Sequence, residues 1–170
     1  DEETLWRRTI ETTPEIFIAQ NNLGGMLLAR GRAGEAEAYF RRAIAIEPTY
    51  PEGYDNLGIV LHDTGRIDEA IAQYREASRL DPRYPYAHNN LGISLAAQGQ
   101  LDDAIAEFRE ALRLKRAFPK AQLNLGIALL KKGDTVGAVA ALEEAVRLAP
   151  DDPAVANALR VAKQRASSAR

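Results

Sequence analysis

The chain predicts an all-α fold built from stacked helix pairs, and three observations carry that reading. Its 170 residues equal five times thirty-four, and its prolines keep that interval. Pro51, Pro85, Pro119 and Pro153 form one series; Pro14, Pro48, Pro82 and Pro150 form a second, three residues earlier, interrupted only by Arg116. Glycines repeat on the same grid, as Gly24, Gly58, Gly92 and Gly126 and again as Gly31, Gly65, Gly99 and Gly133. Composition agrees: alanine is abundant, aromatic residues make up only 6%, and β-branched runs are nearly absent, which favours helices over a sandwich or barrel. A fixed period of this length marks a helical array, because one helix pair cannot bury its apolar face alone.

Taken in order, residues 1–13 line up with the second helix of a preceding pair. Trp6 falls where Phe40, Tyr74 and Phe108 fall, so it is expected to pack in the core. Helices are then predicted near 17–30 and 34–46, 51–64 and 67–80, 85–98 and 101–114, and 119–132 and 135–148. The second unit shows why. Pro51 suits a first-turn position, where its missing N–H costs nothing. Tyr54, Leu57 and Leu61 recur at helical spacing until Gly65, which can take the left-handed conformation that ends a helix. Asp68 and Glu69 then suit a helix N-terminus, and the following helix stops before Pro82. Residues 153–165 begin like another first helix, but Arg160 stands where the other copies have glycine, and Lys163, Gln164 and Arg165 follow. That polar turn predicts a solvating cap, with 166–170 a frayed tail.

The recurring pattern resembles the tetratricopeptide repeat (TPR) family. It reads Leu23-Gly24, Ala36, Phe40, Ala43 and Pro48, then Leu57-Gly58, Ala70, Tyr74, Ala77 and Pro82. Leu91-Gly92, Ala104, Phe108 and Ala111 follow, and then Leu125-Gly126, Ala138, Leu142, Ala145 and Pro150. The four copies occupy 17–50, 51–84, 85–118 and 119–152. The resemblance implies a right-handed α-solenoid whose first helices line a concave groove for protein or peptide ligands. Glycine and alanine at these places allow close helix approach while large residues fill the gaps.

Charge and composition exclude several classes. Lys+Arg 22 against Asp+Glu 24 leaves a net charge of −2, so neither a strongly basic nucleic-acid binder nor an acidic tail is indicated. The chain has no cysteine, which removes thiol catalysis, disulfides and Cys-based zinc sites. No stretch of eighteen apolar residues could span a bilayer. The sequence opens on Asp1 and its single methionine is Met26, so it reads as part of something longer. The compartment stays open. No phosphate loop, nucleophile elbow or pocketed carboxylate pair appears, so neither an enzyme nor a cofactor is predicted. His62 beside Asp55 and Asp63 is too sparse for a metal site, and His88, aligned with Tyr54, is expected on the packing face.

Function is sought where first-helix residues recur without a packing reason. Asn22, Asn56, Asn90 and Asn124 do so, each just before a repeat leucine. Asparagine is a mediocre helix former, so propensity does not explain four of them. In place they resemble the asparagine ladder in the TPR superhelix of O-GlcNAc transferase, which implies amides contacting the backbone of an extended peptide. An amide both donates and accepts, so it can pair with any peptide unit. The alternative is that these amides brace adjacent repeats through bonds to the backbone. Helical geometry adds Asp55, Ile59, Tyr86, Asn89, Ile93, Lys120, Ile127 and Lys131 to the predicted groove. The groove thus reads acidic at the second unit, aromatic at the third and basic at the fourth. The partner expected is an extended protein segment bound by a monomer.

Other TPR modes fit less well. A dicarboxylate clamp needs lysine and arginine on successive first helices, and Tyr86 and Asn90, or Asp55 and Asn124 in the next frame, stand in those places. A structural or self-association role is the alternative from a different class. Residues 3–10, with Pro14 and Asn21-Asn22-Leu23-Gly24, are also similar to the junction where membrane-embedded O-mannosyltransferase-like proteins pass into a soluble TPR tail. That resemblance implies a non-catalytic recognition tail facing away from the cytoplasm.

Overall fold

In the computed structural model of the protein, residues 2–168 are described. Among them every regular element is an α-helix: α1 (Glu2–Thr12), α2 (Phe17–Ala29), α3 (Ala33–Ile46), α4 (Pro51–Asp63), α5 (Ile67–Leu80), α6 (Pro85–Ala97), α7 (Leu101–Leu114), α8 (Pro119–Lys132), α9 (Thr135–Leu148) and α10 (Pro153–Ser168). They divide between two compact units, Asp1–Asn90 and Leu91–Arg170. In the first, α2 packs on α3 and α4 on α5, with α1 against α2 and α3 against α4; in the second, α8 pairs with α9 and α10 packs on both. The all-α solenoid class read from the sequence is therefore the observed one.

The helix ends follow from the breakers. Pro51 and Pro119 occupy the first turns of α4 and α8. Gly31, Gly65, Gly99 and Gly133 all have positive φ, as at Gly65 with +81°, where a side chain would be strained. At the end of α4 this left-handed residue lets the Arg66 N–H donate to the Leu61 carbonyl at 2.8 Å and the Gly65 N–H to the His62 carbonyl at 2.9 Å. Those two bonds satisfy carbonyls that the helix itself leaves open.

The pairing within each hairpin seats a large side chain, a ring in three of the four, on a glycine. A Cβ added at Gly58 would lie 2.5 Å from Tyr74 Cε1, and one at Gly24 would lie 2.7 Å from Phe40 Cε1. In the second unit Gly92 meets Phe108 and Gly126 meets Leu142 in the same way. Ala36, Ala70, Ala104 and Ala138 are fully buried, as are Ala43, Ala77, Ala111 and Ala145. These small residues set the hairpin's closeness, and the large one sixteen residues beyond each glycine fills it.

Three expectations are revised. Trp6 is half-buried, whereas Phe40, Tyr74 and Phe108 are buried, each of them against the glycine of its own hairpin, a contact that Trp6 does not share among the described residues. His88 is half-buried too, with Nε2 3.4 Å from the Pro82 carbonyl oxygen. Residues 166–168, read as the start of a frayed tail, continue α10, where the Ser167 and Ser168 hydroxyls donate to the Gln164 carbonyl. Asp1 and the end of that tail, Ala169 and Arg170, lie outside the described residues.

Candidate ligand-binding face of the first helices

Within the first unit the first helices are α2, α4 and the opening of α6. Each is anchored to the turn before it by a residue at its fourth position. Gln20 Nε2 donates to the Pro14 carbonyl at 3.0 Å, and the Tyr54 hydroxyl donates to the Pro48 carbonyl at 3.1 Å. His88 makes the corresponding contact with Pro82. The clasp has a signal in the sequence, a polar side chain six residues after each of Pro14, Pro48 and Pro82, and the sequence reading missed it.

The next two positions hold the asparagines. All four ladder residues, Asn22, Asn56, Asn90 and Asn124, are half-buried. Asn56 Nδ2 donates to Asn21 Oδ1 at 2.9 Å, and Asn90 Nδ2 donates to Asp55 Oδ1 at 2.9 Å. Each bond reaches back one period plus one residue. The bracing that the sequence left as an alternative is thus made, but between side chains and not to the backbone. Asn21, Asp55 and Asn89, one position earlier, are buried. Asp55, expected at the groove surface, is only 4% exposed. Its helical position turns it into the seam, where it can meet the next first helix. Asn89, expected beside it in the groove, is buried by the same rotation and donates to Asn90 Oδ1 at 3.2 Å.

Asp55 is the one buried carboxylate of this seam. Besides Asn90 it accepts from the Tyr84 hydroxyl at 3.3 Å. Burial pushes its pKa from 3.8 up to about 6; the two hydrogen bonds pull it down, and the Glu52 carboxylate adds to the rise. Burial, with the charge of Asp55 beside it, also lifts the Tyr84 phenol above its ordinary range. Tyr84 was not among the sequence-predicted residues, although Tyr50 thirty-four residues earlier pointed to the position.

The remaining predicted residues lie at the surface or close to it. Tyr86 is 41% exposed, its ring 5.6 Å from that of Tyr84. Ile59 is half-buried. In the second unit Ile93 is half-buried, and Lys120, Ile127 and Lys131 are exposed. The surface of the second helices differs: there Arg79 pairs with Glu76, Arg113 with Glu110 and Arg147 with Glu144 at three-residue spacing along their own helices. Their charges are already paired, as those of the first-helix residues Lys120 and Lys131 are not among the described residues. Among the described residues no group of three His, Asp or Glu could hold a metal ion, and no helix is long and apolar enough to cross a membrane.

Comparison with known proteins agrees with this architecture. Matches described as tetratricopeptide repeat cover residues 3–51, 39–72 and 95–161, and one described as TPR repeat covers 60–99. No curated protein sequence matches the chain. Among solved structures, a thermophilic TPR protein from Thermus thermophilus is 25% identical with a TM-score of 0.80, covering 95% of this chain and 89% of that one. MamA from Desulfovibrio magneticus RS-1 is 22% identical with a TM-score of 0.76, over 98% and 86% of the two chains. A further MamA structure is 22% identical with a TM-score of 0.75, over 86% and 85%. The glycine-seated hairpins, their thirty-four-residue period and matches that together span residues 3–161 agree, and the chain belongs to the tetratricopeptide repeat family of protein-interaction scaffolds.

Proposed function

We propose that the first-helix face of each compact unit binds an extended segment of a partner protein, with the first helices within that unit as successive rungs. The observation that carries this reading is the surface contrast between helices. Second helices present self-paired Arg–Glu couples, whereas first helices present half-buried amides beside exposed apolar and charged residues. In the first unit the row is Asn22, Asn56 and Asn90 with Ile59 and Tyr86. In the second it is Asn124 with Ile93, Ile127, Lys120 and Lys131. With its Nδ2 engaged in bracing, Asn56 offers its Oδ1 to a peptide N–H, and Asn90 Oδ1, which already accepts from Asn89, offers its second lone pair, at about 0.5–1.5 kcal/mol per bond. The reading is that of a recognition module acting as a monomer, without catalysis of its own.

A peptide array probed with the labelled protein tests this. Binding that falls when Ile59 and Tyr86 are replaced by serine, with thermal stability retained, supports the reading. An array without ligands, together with sedimentation showing concentration-dependent assembly, would replace it with the self-association role.

A further inference from the structure

The first-helix face of the first unit has a charge asymmetry with a definite chemical meaning. Neither α2, α4 nor residues 85–90 contains a lysine or arginine; every arginine of this unit lies on a second helix or in a turn. The acidic residues on that face are Glu52, Asp55 and Asp63, and Asp55 is committed to the seam. Glu52 is half-buried and makes no ion pair among the described residues.

Its neighbours in the repeat grid are apolar. Ile18, Glu52 and Tyr86 occupy the same position of successive first helices, and Ile18 is 48% and Tyr86 41% exposed. The Asn56–Asn21 and Asn90–Asp55 bonds hold these helices side by side. Exposed aliphatic, unpaired carboxylate and exposed aromatic therefore stand in a line. Helices packed at about 10 Å match about three residues of an extended chain at about 3.3 Å each.

We infer that the opening turns of α2, α4 and α6 take an extended segment with an arginine or lysine centred between two apolar residues, each three positions away from it. Glu52 accepts the cation, and Ile18 and Tyr86 cover the apolar side chains. The inference rests on the groove reading above and specifies its ligand. A partly exposed ion pair with Glu52 contributes up to about fivefold in affinity.

Fluorescence anisotropy with three labelled peptides provides the test. Each carries two leucines, with pairs of serines separating them from a central arginine, norleucine or glutamate. The arginine peptide is expected to bind up to about fivefold more tightly than the norleucine one. Glu52→Gln should abolish most of that preference, Glu52→Lys should shift it to the glutamate peptide, and Ile18→Ser should weaken all three, with the helical melt of each variant unchanged. Equal affinity for the three peptides, or an arginine preference that survives Glu52→Gln, overturns the inference and leaves the groove reading standing if an unbiased array still yields ligands. Silence in both experiments removes both.

Discussion

Replacing Asp55 with asparagine should stabilise the protein, and only above a definite pH. The carboxylate is 4% exposed and titrates near about 6 instead of 3.8, chiefly because burial penalises its charge. A folded pKa above the unfolded one means that the native state holds the extra proton between these values, so stability falls as pH rises through that window. The contribution is fully present below about 4 and lost above about 6, and the gap corresponds to about 3 kcal/mol. Asparagine carries no charge to desolvate, and its Oδ1 can accept from Asn90 as Asn21 Oδ1 accepts from Asn56. Its Nδ2 must then donate to the Tyr84 hydroxyl, which gives up its present donor role. Urea unfolding of both proteins at intervals from about pH 4 to about pH 8 measures the difference directly, since all other titrating groups are shared. The variant's advantage should be near zero or slightly negative at about pH 4 and grow by up to about 3 kcal/mol by about pH 7. A difference that stays constant across that range would refute burial as the dominant cause.

Other substitutions probe the same framework by thermal or urea unfolding. Gly58→Ala should cost roughly 1–3 kcal/mol, because the added methyl would stand 2.5 Å from the Tyr74 ring. Gly25→Ala should instead stabilise by up to about 1 kcal/mol, since Gly25 lies inside α2 with nothing within 4 Å of an added Cβ. Asn56→Ala should lose about 0.5–1.5 kcal/mol through its bond to Asn21. Ala70→Leu should cost roughly 1–3 kcal/mol by overpacking a fully buried site, and a melt unchanged from the parent would show that the seam yields.

Most of the fold was legible because its determinants are backbone breakers and volume. Proline and glycine fix where helices start and stop, and the glycine–ring pairs fix how they meet, so a thirty-four-residue period carries the hairpins almost unaided. The candidate site was less legible. Periodicity identified the asparagines, but a single amide can serve a ligand and a neighbouring helix at once, and only coordinates reveal that Asn56 and Asn90 reach Asn21 and Asp55. A small rotation about the helix axis separates a solvent-facing carboxylate from a buried one. Asp55 and Glu52 were therefore indistinguishable by spacing, although one is sealed and the other only half-buried. Trp6 shows the converse limit: it shares the repeat position of Phe40, Tyr74 and Phe108, yet it is half-buried where those three rings, each seated on a glycine, are buried.

The asparagine brace also bears on how such a chain can change length. Each bond spans thirty-five residues, so a genetic deletion of residues 51–84 would bring Asn90 over Asn21, a couple already represented by Asn56 and Asn21. The shortened protein would regain a neutral amide pair and discard the ionisable one. A cut that is not a whole number of periods would leave a donor without its acceptor. Unequal recombination in whole periods is thus the route to shorter or longer relatives that this lattice of amides tolerates.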